Sequence, residues 1–120
     1  MKLLIVGNQP DLLLAAQFLQ QSGHHCMTAP DVQQAIDWVI KIKPELVITD
    51  FHLPDGVGFQ VIRHVREALP KTPVILVSED LVQGMEEAAL EVGAAAYVRK
   101  PFDIPALEST IKAVAKNPIS

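Results

Sequence analysis

This chain of 120 residues carries one cysteine, one tryptophan and one tyrosine, no block of like charge and no long apolar run. Each shortage excludes something. Cys26 alone cannot form an internal disulfide, and a single thiol suits a reducing cytoplasm. No apolar run approaches the roughly 20 residues needed to span a bilayer, so no membrane segment is expected. Leu3 to Val6 is too short for a signal-peptide core, and no small-residue cleavage site follows it. Ten basic residues against fourteen acidic leave a net charge of −4. Without a basic block, direct binding of nucleic acid is not expected, because neutralised phosphates supply most such affinity.

What the chain has in quantity is apolar residues, 49% of the total. At this length they suffice for one sizeable core and not for two. Residues 1–120 are therefore expected to form a single domain, with 117–120 as a tail or the start of a truncated linker. Five apolar runs, Lys2–Val6, His25–Thr28, Leu46–Thr49, Val74–Val77 and Ala95–Val98, alternate with five helical patterns. Three runs are apolar on both faces, as strands of a parallel sheet covered on both sides must be. The more polar second run suits a strand nearer an edge.

Pro10-Asp11 opens the first helix, Leu12, Ala15, Ala16 and Leu19 supply its buried face, and Gly23 stops it. Asp31 reads as the N-cap of the second, with Val32, Ala35, Ile36, Val39 and Ile40 inward. The third spans about Val57 to Leu69, the fourth about Leu81 to Val92, and the fifth begins near Asp103. Strand–helix alternation with short links predicts a three-layer α/β sandwich with right-handed crossovers. In such sheets the functional site lies beyond the carboxyl ends of the strands.

Asp50, Ser78 and Lys100 follow the third, fourth and fifth strands, so the fold should bring them together. A carboxylate, a hydroxyl and an ammonium at one place suit attack of the carboxylate on a phosphoryl group, giving an acyl phosphate. Lysine would offset the added charge and serine would donate to a phosphoryl oxygen. A buried Asp–Lys ion pair with a capping serine is the structural alternative. The group Gly23-His24-His25-Cys26 carries metal-friendly side chains, but strand neighbours point to opposite faces and no second cluster completes a zinc site.

Over essentially its whole length the chain resembles the receiver domain of two-component response regulators. The segment LVITDFHLPDGVGFQVIRHVR resembles that family's phosphoacceptor segment, PVILVSED its hydroxyl-bearing strand end, and GAAAYVRKPFD its fifth-strand signature. The resemblance implies a flavodoxin-like, doubly wound (βα)5 fold with a five-stranded parallel sheet. It implies Asp50 as phosphoacceptor, Ser78 and Lys100 as its helpers, and Tyr97 as a switch aromatic moving with Ser78. It also implies a cis bond at Lys100–Pro101. His52 and Asp80 match positions that tune phosphate lifetime. The implied partners are a histidine kinase or phosphotransfer protein. A homodimer could use the face made by the fourth helix, fifth strand and fifth helix. At most the chain is a self-phosphorylating phosphoacceptor, not an enzyme in the ordinary sense.

Two positions depart from the family pattern. Its first strand ends in two acids that bind Mg²⁺, where this chain has Gly7 and Asn8. The remaining metal donors are Asp50, the Asn8 amide oxygen and, by resemblance, the backbone carbonyl of His52, a weakened set for a cation that favours carboxylates. Beside Ser78, where the family usually has a small residue, stands Glu79. That acid either crowds the phosphoryl position, supplies a replacement metal ligand, or points to solvent and caps the fourth helix with Asp80. Two mechanisms follow: a receiver phosphorylated on Asp50, or a pseudo-receiver that binds partners without phosphate. A cobalamin-like small-molecule binder, suggested by Asp50-Phe51-His52 followed by Gly56, has the wrong glycine spacing and the wrong loop.

Overall fold

The computed structural model of the chain describes residues 1–79 and 82–116. Asp80, Leu81 and the tail 117–120 lie outside the described residues, and so do the expectations placed on them. The order is β1 (Lys2–Val6), α1 (Pro10–Gln21), β2 (His25–Ala29), α2 (Val32–Ile42) and β3 (Leu46–Asp50), then α3 (Gly58–Ala68), β4 (Val74–Ser78), α4 (Met85–Val92), β5 (Ala96–Arg99) and α5 (Ile104–Lys116). A short antiparallel hairpin, His52–Leu53 with Gly56–Val57, follows β3. The five main strands are parallel in the order β2-β1-β3-β4-β5. The more polar second run is indeed an edge.

Strand parity divides the core. Leu3, Ile5, Leu46, Ile48, Ile75 and Val77 face α1 and α5, where Leu12, Leu19, Leu107 and Ile111 meet them. Leu4, Val6, Val47, Val74 and Leu76 face the opposite side, with Val39, Ile62 and Val65. Each such side chain, fully withdrawn from water, contributes roughly 1.5–3 kcal/mol, which is why both sheet faces must be covered. Among the described residues, no helix is long and apolar enough to cross a membrane.

Element boundaries agree with the sequence reading to one residue except in α4. That helix begins at Met85, not near Leu81, because Gly84 holds a left-handed backbone (φ +89°) that interrupts the helical path just before it. Glu79 is therefore not its cap; the N-cap is Gly84. Ile40 also departs from expectation, lying 63% exposed. Eight residues after Val32 the helix has turned about 80° from the buried seam, so the side chain leaves the sheet. The cap of α2 is as expected: the Gln34 N–H donates to Asp31 Oδ1 at 2.8 Å.

Candidate functional site

Register delivers the site. Asp50 pairs with Val77, Ser78 with Arg99, and Val6 with Thr49. The strand ends therefore fall side by side, with Gly7 opposite Asp50 and Lys100 one step beyond the Ser78–Arg99 pair. Parity then sorts the side chains. Asp50 shares the α1/α5 side with Ile48, whereas Ser78 shares the other side with Leu76, which pairs with Tyr97. At the open end of the sheet, Ser78 still lines the cleft beside Asp50. That cleft, about 30 Å3 in volume, is also bordered by Gln9, His52, Glu79 and Lys100.

Lys100 Nζ lies 2.6 Å from Asp50 Oδ1 and 3.1 Å from Asp11 Oδ2. The first pair is shielded, with side chains 8% and 5% exposed, while Asp11 is 44% exposed. Asp11 stands in the first turn of α1, where the helix N-terminus favours an anion. Its Oδ1 also accepts the Leu12 N–H at 2.7 Å. The main chain is fixed around the pair: the Phe51 N–H donates to Val77 O, the Lys100 N–H to Ser78 O, and the Gly58 N–H to Phe51 O.

Burial pushes the Asp50 carboxyl above its ordinary value; Lys100 pulls it down, and the charges of Asp11 and Glu79 push it up again. Burial alone would lower the Lys100 ammonium, but its hydrogen bonds and attraction to Asp50 and Asp11 raise it overall. Asp50 holds its proton more tightly chiefly because it is buried, and Lys100 because two carboxylates, Asp50 and Asp11, face it.

The other carboxylate oxygen, Asp50 Oδ2, is buried and has no hydrogen-bond partner. It is turned toward Gly7. A Cβ on residue 7 would stand 2.6 Å from that oxygen and 3.1 Å from Leu12 Cδ1, and Gly7 has φ +150°, a region side chains rarely adopt. Gly58 is confined in the same way: a Cβ there would stand 2.5 Å from the Asp50 carbonyl oxygen. The loop between is tied down by Asp55, whose carboxylate accepts the Val32 and Gln33 N–H groups at the start of α2.

Comparison with known proteins decides the family. The family model described as response regulator receiver domain matches residues 3–112. The chain belongs to the response regulator receiver family. Its relatives include the phosphate regulon regulatory protein PhoB of Pseudomonas aeruginosa, 31% identical over 95% of this chain and 51% of that protein. The polar-differentiation response regulator DivK of Brucella anthropi is 27% identical, covering 92% of this chain and 91% of its own length. The chain spans about half the length of PhoB and of the Bacillus subtilis regulator PhoP. In fold it is similar to a two-component response regulator from Clostridium difficile, with a TM-score of 0.90, 23% identity and coverage of 98% and 97% of the two chains. It is likewise similar to the chemotaxis protein CheY4 of Vibrio cholerae, with a TM-score of 0.86, 25% identity and coverage of 94% and 97%.

Receiver domains are signalling modules of two-component systems, and response regulators interact with histidine kinases or phosphotransfer proteins. They typically bind Mg²⁺ at the phosphoacceptor aspartate. The donor set of this receiver does not suit that ion. Mg²⁺ asks for near-octahedral oxygens and keeps several waters. Here Asp50 Oδ1 is held by Lys100, Oδ2 is buried against Gly7, and Asn8 is exposed. Among the described residues, no group of three His, Cys, Asp or Glu side chains could hold a metal.

The remaining expected residues are placed as follows. His52 is exposed on the hairpin and Glu79 is exposed at the cleft rim. Tyr97 is half-buried, facing a groove of about 440 Å3 bordered by Met85, Glu86, Glu87 and Arg99. The Lys100–Pro101 bond is cis. Two residues escaped the sequence reading. Asp11 was read only as a helix opener; its place in the first turn after the β1 tip was the available signal. Asp55 was given no role and stood only within the segment LVITDFHLPDGVGFQVIRHVR.

Proposed function

We propose that this receiver accepts a phosphoryl group on Asp50 from a histidine kinase or phosphotransfer protein and relays the change through its α4–β5–α5 face. The observation that carries this reading is the approach of Lys100 Nζ to Asp50 Oδ1 at 2.6 Å, with Ser78 on the same cleft. A carboxylate oxygen of Asp50 attacks phosphorus in line. The Asp50 O–P bond forms as the donor's P–N bond breaks, and the departing imidazole takes up a proton. Lys100 then faces the added negative charge and Ser78 donates to a phosphoryl oxygen. Tyr97, on the α4 side with Ser78, passes the change to the groove beside it, where an effector protein or a second receiver docks.

A second reading is a pseudo-receiver, which presents the same face without phosphate. It is favoured by Gly7, whose missing side chain leaves the space into which Asp50 Oδ2 turns. Intact mass after incubation with Mg²⁺ and a small phosphodonor separates the two. A gain of one phosphoryl group, absent in Asp50→Asn, is the expected result. No gain over a wide range of Mg²⁺, and none with a histidine kinase, would establish the phosphate-independent module instead.

A further inference from the structure

We infer that Lys100 is the resident cation of this pocket, that Asp11 is the residue positioning it, and that the pocket assembles without a divalent metal. The inference rests on the Asp50 cleft being the functional site, but not on Asp50 being phosphorylated. A receiver that binds a metal beside its aspartate needs acids on the β1 tip, because a divalent ion must be surrounded by hard, mostly anionic oxygens. In this chain the first acid after β1 stands further on. The β1 tip carries Gly7 and Asn8, and the carboxylate appears at Asp11, one turn into the next helix.

From there Asp11 cannot join Asp50 around a hydrated ion, since Lys100 already lies between them, 2.6 Å from one and 3.1 Å from the other. Asp50 Oδ2, the oxygen that Lys100 leaves free, is buried and turned into the space above Gly7, with Leu12 Cδ1 bordering that space. An ion that retains its waters finds no room at a fully buried oxygen. The charges also close without a metal. Two carboxylates against one ammonium leave a single excess negative charge, which the α1 N-terminus and the Leu12 N–H at Asp11 help to offset.

Asp11 thus does for Lys100 what a metal ligand does elsewhere: it fixes where the positive charge stands. A lysine held by Asp50 alone would be free to leave when that carboxylate is modified. A lysine anchored twice remains in the cleft.

Two spectra on the full chain test this. The first uses Mn²⁺ alone as probe and follows backbone amide signals. Uniform, weak broadening is expected; selective loss of signals at residues 7–9 and 50–52 would overturn metal independence. The second follows the Lys100 side-chain ammonium signal. Asp11→Asn is expected to shift or lose it through exchange, and Asp11→Glu to retain it. An unchanged signal in Asp11→Asn, or equal loss in Asp11→Glu, would remove Asp11 from the positioning role. Neither spectrum depends on phosphorylation, so an absent mass gain would defeat the proposed function and leave this inference standing. A mass gain abolished by a chelator would uphold that function and overturn the inference.

Discussion

Among single residues, Lys100 has the largest predicted effect. Lys100→Met strands a buried carboxylate, and removing one partner of a shielded pair costs about 3–5 kcal/mol. Urea unfolding at neutral pH should show a loss of that order. The pH dependence has two arms. Asp50 has a raised folded value, so its contribution is fully present below its ordinary 3.8 and is lost as pH climbs through the raised value. Wild type should therefore lose stability relative to Asp50→Asn over that rise. Lys100 is also raised, so its contribution persists below 10.5 and disappears as pH passes through the higher folded value. Parallel unfolding series of wild type, Asp50→Asn and Lys100→Met would expose both arms. Gly7→Ala places a methyl 2.6 Å from Asp50 Oδ2 in a backbone region unsuited to side chains; a loss of about 1–3 kcal/mol is expected by calorimetry. Asp50, Ser78 and Lys100 were legible because each falls at or just past the carboxyl end of an apolar strand. Asp11 was not, because its role depends on the direction in which α1 leaves the sheet, which no local pattern encodes.

Among elements, α3 and α2 are held to the site by contacts distant in sequence. Gly58 lets the first turn of α3 touch the Asp50 main chain. Gly58→Ala should cost about 1–3 kcal/mol and shift the Asp50 amide resonance, whereas Ala substitution at the exposed Gln17 should do neither. Asp55 caps α2 from 23 residues away. Its two N–H bonds hold its carboxyl below the ordinary 3.8, so its stabilisation is present above that value and lost as pH falls through the lower folded one. Asp55→Ala should lower the melting temperature at neutral pH and have no effect in strong acid. Helix faces could be read from period alone where the seam was wide, as in α1. The seam of α2 is narrower, so Ile40 fell outside it. The start of α4 was obscured because the apolar pattern of the sequence begins ahead of Gly84, whose left-handed backbone precedes the helix.

For the whole molecule, burial grades from the centre of the sheet to its edges. β1 and β3 are buried on both faces, while β2 exposes His25 and Thr28. Amides of β3 should exchange with solvent only through global unfolding, and those of β2 through smaller openings at lower free energy; exchange measured in rising denaturant separates the two classes. Architecture was the most legible level, since runs apolar on both faces admit only a sheet covered on both sides. One further property follows from Asp55 gripping the start of α2. The same helix carries Trp38, the single tryptophan, half-buried with Lys41 Nζ 5.4 Å from its ring centre. A rearrangement of the hairpin that breaks the Asp55 cap is therefore expected to reach the helix that carries Trp38, and intrinsic fluorescence of unlabelled wild type is the measurement that would read it.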